Sequence, residues 1–320
     1  SGVGKSRLVA EIQKPIVRKK GYFVTGKFDQ FKRDVPLASL TAALSDLVKQ
    51  ILTESEVRIV DWRARMMTAL GAQGQVIVDV IPELEALIGT QPKVPELSPV
   101  EAQNRFQRVF RTFFEALCDP SRPLCMFLDD LQWADTATMN WLEDTIGDST
   151  ARGLFLIAAY RDNEVDASHP MMMSLARVRA RGAAVETLEL APLTFATLTQ
   201  LVADALCTLP DTVADLAKVV YAKTDGNPFF VTQLLHSLHE QESITFNPQT
   251  QAWAFDVEAV SAADISSNVV ELMERRIRKL EAQTQDALKL AACIGNTFDL
   301  NTLAIVSDED RSEVRYHTWE

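Results

Sequence analysis

The chain is poor in the residues that build metal sites and disulfide frameworks. It has four cysteines (Cys118, Cys125, Cys207 and Cys293) without C-x-x-C spacing, and four histidines (His169, His236, His239 and His317), in 320 residues. The cysteines lie in apolar stretches and read as reduced, buried thiols of a cytoplasmic protein. His236 and His239 have helical i, i+3 spacing but no companion cysteines or carboxylates to complete a zinc shell, so they read as helix-surface residues. No stretch approaches the roughly 18 consecutive apolar residues of a membrane-spanning helix, and no cleavable leader is visible. Repeats and low-complexity tracts are also lacking. Positive charge is scarce: 32 Lys and Arg against 44 Asp and Glu give a net charge of −12, which argues against sequence-independent nucleic-acid binding. The densest basic cluster, Arg275, Arg276, Arg278 and Lys279, alternates with Leu272, Met273, Ile277 and Leu280. It reads as the solvated face of an amphipathic helix.

What is present begins at the first residue. Ser1 to Ser6 read SGVGKS, the last six positions of the phosphate-binding pattern G-x-x-x-x-G-K-[ST]. The first glycine of that pattern, and the strand that should precede it, are expected upstream of residue 1, so the sequence reads as a fragment. Such a loop wraps phosphates with backbone N–H groups at the positive end of a helix. Gly2 and Gly4 permit the close approach, Lys5 supplies a mobile positive charge, the Ser6 hydroxyl is the expected magnesium ligand, and Arg7 starts the helix. A second element supports the first. Leu124 to Asp130, LCMFLDD, follows Pro123 and is an apolar run ending in two aspartates, a buried parallel strand delivering acid to a site. Asp129 is placed to hold magnesium through water, and Asp130 to orient or deprotonate an attacking water.

The length allows two or three domains, and 47% hydrophobic residues allow a substantial core. The first half alternates helix and strand. A helix after Ser6 carries Leu8, Val9, Ile12 and Ile16, with Pro15 bending or ending it. A strand YFVTGKF follows Gly21, a helix spans Pro36 to Leu52, and a proline-bearing connection leads to a helix over Glu101 to Cys118. Buried strands are expected at Gly153 to Tyr160 and Glu186 to Leu190. This rhythm predicts an α/β fold, a parallel sheet flanked by helices. From Pro192 the pattern turns helical (Leu198 to Leu206, Val213 to Lys223, Phe229 to Glu240), then gives a hairpin over Ile244 to Phe255. Helices resume near Ser267, and Gly295 is a helix stop.

Five segments in order carry a resemblance: SGVGKSRLV, FLDDLQWAD (Phe127 to Asp135), AAYRDNE (Ala158 to Glu164), LAPL (Leu190 to Leu193) and DGNPFF (Asp225 to Phe230). Over roughly Ser1 to Val306 the chain resembles the signal-transduction ATPases with numerous domains, a branch of the AAA-type P-loop fold that includes Orc1-like modules. Within it, GYFVTGKFDQFKRDVPLASL is most like the ATPase module of bacterial hybrids joining serine/threonine kinase, GAF and histidine kinase domains. The resemblance implies a P-loop ATPase core over 1–191, a helical lid over 192–243, and a hairpin with a winged-helix-like region over 244–306. A polar tail, 307–320, departs from the pattern and reads as a disordered end or a break in the reading frame. The implied cofactors are ATP and Mg²⁺, with Gly2, Val3, Gly4, Lys5, Ser6 and Arg7 around the phosphates, Ser6 and Asp129 on the metal, Asp130 on water and Arg161 as γ-phosphate sensor. Pro228 would pack near the adenine.

Arg161 has independent support, because an arginine at the carboxyl end of a parallel strand faces the ligand crevice; its plainer reading is a salt bridge to Asp162 or Glu164. Asp-Gly-Asn-Pro can equally be an ordinary turn before a helix, and Trp133 and Phe229 are read as packing residues before adenine stackers. The function expected is a regulatory ATPase switch of a signalling protein. Its partners would be ATP or ADP, other domains of that protein or further copies of itself, with neither membrane nor nucleic acid. The alternatives are a nucleotide-dependent DNA loader and an ATP-binding scaffold that does not hydrolyse. No kinase box, HRD or DFG is present, so kinase activity is not expected of this chain.

Overall fold

The computed structural model describes residues 2–30, 35–147, 151–249, 251–262, 274, 277–295, 299–308 and 310–318. The chain divides into two compact units, Val3–Leu190 and Ala191–Glu320.

In the first unit, α1 (Lys5–Arg18) leads into β1 (Tyr22–Lys27). Next come α2 (Ala38–Leu52), α3 (Glu56–Leu70), the short α4 (Gly74–Val78) and α5 (Leu84–Ile88), and α6 (Pro99–Leu117). The unit closes with β2 (Leu124–Asp129), α7 (Thr136–Gly147), β3 (Leu154–Ala158) and α8 (Pro170–Ala180). Pro15 lies inside α1 without ending it, since one lost N–H bond near a helix end is a cost that packing can offset. The start of α6 is set by a capping box between Ser98 and Glu101 with Pro99 in its first turn.

The strands form a parallel sheet in the order β1-β2-β3. Its register places Lys27 beside Asp129 and Leu128 beside Ala158, so the carboxyl ends of all three strands lie along one edge. One face, with Val24, Leu124, Met126 and Leu128, packs into a core built from Leu40, Leu44, Met66, Phe110, Phe113 and other apolar side chains of the helices. The other face carries a smaller cluster of Phe127, Ala159 and Val9 of α1. At the opposite edge Trp62 donates to the Tyr22 hydroxyl at 3.1 Å, Tyr22 bonds Glu54, and Arg122 pairs with Glu54 at 2.8 Å. This network anchors the amino ends of β1 and β2.

Several expectations change. The strand expected over Gly153 to Tyr160 is shorter and only half-buried: Phe155 is 49% exposed, because among the described residues β3 has a ladder partner on one side only. Glu186 to Leu190 is not a strand but an irregular, largely exposed segment. A short alternating segment such as Glu-Thr-Leu-Glu-Leu needs a neighbouring ladder to become a strand, and among the described residues none pairs with it. The helices α3, α4 and α5, not expected from the sequence, fill the core beside α6. Cys118 and Cys125 are buried, and burial pushes their thiols up to about 12 and about 11, respectively. Cys207 and Cys293 are exposed, contrary to expectation: apolar neighbours in sequence do not bury a residue on the outer face of its own segment.

Glu143 of α7 is buried and receives both Nε and Nη2 of Arg177 of α8, at 2.8 and 2.5 Å. This bidentate bond outweighs burial and holds the Glu143 carboxyl below its usual range. A depressed folded value means that the bond contributes stability above the unfolded value, near pH 4.3, and loses it as pH falls through the folded one. Arg177 is half exposed and therefore screened. Glu143→Gln should cost about 1 kcal/mol at neutral pH, roughly 2–4 °C in Tm. In thermal melts the deficit should shrink as the pH is lowered toward 3; a deficit independent of pH would remove the ion pair as its cause.

The second unit runs through α9 (Phe195–Ala205), α10 (Ala214–Thr224), α11 (Pro228–Glu240) and the hairpin β4 (Ile244–Asn247) and β5 (Ala252–Phe255). It continues with α12 (Val257–Ala262), α13 (Ala282–Ile294), α14 (Leu300–Ser307) and α15 (Arg311–Thr318). The hairpin pairs Ile244 with Phe255 and Phe246 with Trp253, as the alternation predicts. Leu198, Val202, Leu216, Val220, Val231, Leu234 and Ile244 form its main core. The segment from Ser307 is not a featureless polar tail: it forms α15, whose Val314 is fully buried against Ala291 and Leu303. Helices from Ser267 and residues Arg275 and Arg276 lie outside the described residues. Nearby, Arg278 pairs with Glu274 at 2.6 Å, and Ile277, expected in an apolar stripe, is 41% exposed.

Candidate functional site

At the carboxyl edge of the sheet, the start of α1 meets the end of β2. Gly4 is the residue before α1, with φ 95°, a left-handed conformation that glycine adopts without strain. Helix bonding begins with Leu8 N–H to Gly4 O at 2.9 Å, so the preceding first-turn N–H groups have no intrahelical acceptor. Gly2, Val3, Gly4 and Lys5 are half-buried, and Ser6 and Arg7 are exposed. Among the described residues no carboxylate forms a salt bridge with Lys5.

The Ser6 hydroxyl donates to Asp129 Oδ2 at 3.2 Å across 123 residues of chain. The other oxygen of Asp129 accepts the Asp130 N–H at 3.0 Å. Asp130 itself is 5% exposed and adopts φ 53°, turning the chain out of the strand. The turn is held from both sides. Phe28 N–H donates to Asp129 O at 3.0 Å, Ala159 N–H to Leu128 O at 2.8 Å, and Leu131 N–H to Ala159 O at 2.9 Å.

Arg161, three residues past β3, reaches back to this turn. Its Nε donates to Asp130 Oδ1 at 3.1 Å and its Nη1 to Glu164 Oε1 at 2.8 Å, and its guanidinium lies 4.9 Å from the centre of the Trp133 ring. Burial opposes its charge, but the Asp130 and Glu164 carboxylates outweigh burial and raise its pKa above the usual value. The plainer reading of Arg161 is thus met at Glu164. The Asp130 contact was not foreseen.

Gln132 was not singled out in the sequence, although it lies two residues after the aspartate pair. It is 3% exposed, and its amide nitrogen donates to Asp130 Oδ1 at 3.3 Å and to Glu164 Oε2 at 3.0 Å. Asp135 was noted only as the end of a motif. It caps α7 by accepting the Thr138 N–H at 2.9 Å, and it accepts the Leu37 N–H at 3.2 Å. The loop after Asp130 is thereby tied to the residue that opens α2.

Pro228 belongs to the second unit, in the first turn of α11, where Asn227 Oδ1 accepts the Phe229 N–H at 3.1 Å. Within that unit the segments LAPL and DGNPFF meet. Leu193 N–H donates to Gly226 O at 2.8 Å, and a Cβ on Gly226, at φ 70°, would stand 2.2 Å from Leu193 O. Only glycine fits there. Among the described residues no cluster of three or more His, Cys, Asp or Glu could hold a metal by protein groups alone, and no helix is long and apolar enough to cross a membrane.

Residues 1–157 match the family model described as AAA ATPase domain, and the chain carries an AAA-type ATPase module. It is 29% identical to hybrid signal transduction histidine kinase G of Dictyostelium discoideum, over 96% of this chain and 11% of that protein. It is 20% identical to the peroxide stress-activated histidine kinase mak3 of Schizosaccharomyces pombe, over 98% of this chain and 15% of that protein. The chain therefore spans a small part of the curated relatives it matches. A mutant RuvB of Thermotoga maritima aligns with 86% of this chain and 85% of its own at 15% identity, with a TM-score of 0.31.

Proposed function

We propose that this AAA-type module binds Mg-ATP at the carboxyl edge of its sheet, hydrolyses it to ADP and phosphate, and serves as a nucleotide-dependent switch within a larger signalling protein. The observation that carries this reading is the Ser6–Asp129 contact. It joins a loop built for phosphate to a strand end built for a cation, with a buried second carboxylate next in the chain.

Each residue has a role on this reading. The N–H groups around Gly2, Val3 and Gly4 and those opening α1 at Lys5, Ser6 and Arg7 hold the phosphates, and Lys5 supplies the charge. The Ser6 hydroxyl and Asp129 carboxylate are hard oxygen donors, the set that suits Mg²⁺ completed by water and phosphate. When bound, the cation would neutralise charge developing on the phosphate oxygens. Asp130 orients a water and takes its proton as the water oxygen bonds to the terminal phosphorus and the bond to the bridging oxygen of ADP breaks. Arg161 stabilises the terminal phosphate. The acceleration rests on positioning and charge.

The test is a Mg²⁺ titration of nucleotide binding and phosphate release, with Asp129→Asn as the variant. The variant should need about tenfold more Mg²⁺ for half-maximal release, the worth of one lost charge-assisted contact. An unchanged Mg²⁺ requirement would remove Asp129 from the metal site. The relatives' names support a signalling context, and the partner is proposed to be another part of the same protein.

A further inference from the structure

Arg161 is held by more than its charge requires. An isolated i, i+3 ion pair such as Arg161 with Glu164 is ordinarily worth little in water, but here the side chains of both are only 28% exposed, and that of Asp130 is 8% exposed. Gln132 closes the figure by donating one amide nitrogen to both carboxylates, and the Trp133 ring lies beside the guanidinium. Two carboxylates in a partly buried site repel each other. A single guanidinium and one amide hold them together.

This has a consequence for any triphosphate. Arg161 and Gln132 both donate to Asp130 Oδ1, and an oxygen already accepting two donors is a poor proton acceptor. A terminal phosphate is a more highly charged acceptor for the guanidinium than either carboxylate. To engage it, Arg161 must relax its hold on Asp130 and Glu164. The strength of that hold is subtracted from the affinity for a triphosphate, whereas a diphosphate has no terminal group to compete for the arginine.

We infer that Glu164 is a specificity-determining residue which, with Gln132, parks Arg161 on Asp130 and so sets how strongly the site prefers a nucleoside triphosphate to a diphosphate. The inference rests on the nucleotide-binding reading above. Glu164 touches no reacting atom; it acts through Arg161.

Calorimetric titration of the full chain with Mg-ATP and Mg-ADP tests it, using the parent, Glu164→Gln, Glu164→Asp and Arg161→Ala. Glu164→Gln should bind ATP about tenfold more tightly, about 1.4 kcal/mol, with ADP unchanged within about twofold. Glu164→Asp, which keeps the charge, should stay nearer the parent. Arg161→Ala should bring ATP down toward the affinity of ADP. Departure of the guanidinium from Trp133 should also change tryptophan emission on adding ATP but not ADP, and Trp133→Phe should abolish that signal. Weaker ATP binding by Glu164→Gln, or equal changes for both nucleotides, would overturn the inference while leaving nucleotide binding intact. A parent that binds neither nucleotide would overturn the functional reading, and this inference with it.

Discussion

In single-turnover assays Asp130→Asn should bind Mg-ATP at least as tightly as the parent and release phosphate about 10²- to 10⁴-fold more slowly, the usual contribution of a positioned general base. The substitution is nearly isosteric in a turn that leaves the residue 5% exposed, so the fold should survive. An asparagine can still accept a bond from Arg161, but it has neither the charge that holds the guanidinium nor the basicity to take a proton from water. Binding and turnover should therefore separate. Equal loss of both would mean that Asp130 supports the loop rather than the chemistry. A parent that binds ATP and never releases phosphate would make the module an ATP-binding scaffold.

Lys5→Ala should weaken Mg-ATP binding about 100-fold, about 2.7 kcal/mol, with no loss of thermal stability. Lys5 opens α1, where alanine is at least as good a helix former, and no salt bridge of Lys5 occurs among the described residues. Its charge is therefore available to a ligand. Calorimetry with Mg-ATP, beside a melting curve of the same preparation, separates a lost ligand contact from a lost fold. ATP binding unchanged within twofold would take Lys5 out of the phosphate site.

The parts of this protein legible in the sequence are those whose signal is local. LCMFLDD is a continuous apolar run after a proline and before two acids, and it is β2 with its acidic turn. The loop SGVGKS precedes α1, with Gly4 in the left-handed conformation its residue type permits. Trp62, Met66 and Leu70 recur every four residues along α3, so that helix was there to be found. Glu186 to Leu190 misled because Leu188 and Leu190 alternate with Thr187 and Glu189 as they would in a strand, and a strand exists only where another lends it hydrogen bonds. The tail misled for the opposite reason. Its polar composition hid one residue, Val314, whose burial against Leu303 secures a helix.

The sequence by itself determined the chemical inventory and its order: a cation and a hydroxyl at the start of a helix, two carboxylates at the end of a buried strand, an arginine past the next strand. Residue type and spacing carry those because they need no distant partner. Only the tertiary structure decided which groups touch. The parallel register aligns the ends of β2 and β3, the left-handed turn at Asp130 sets the direction of its carboxylate, and together they place Arg161 on Asp130, with Gln132 bridging to Glu164. Such pairings depend on ladder register and on one backbone dihedral, and neither is written in the local pattern of side chains.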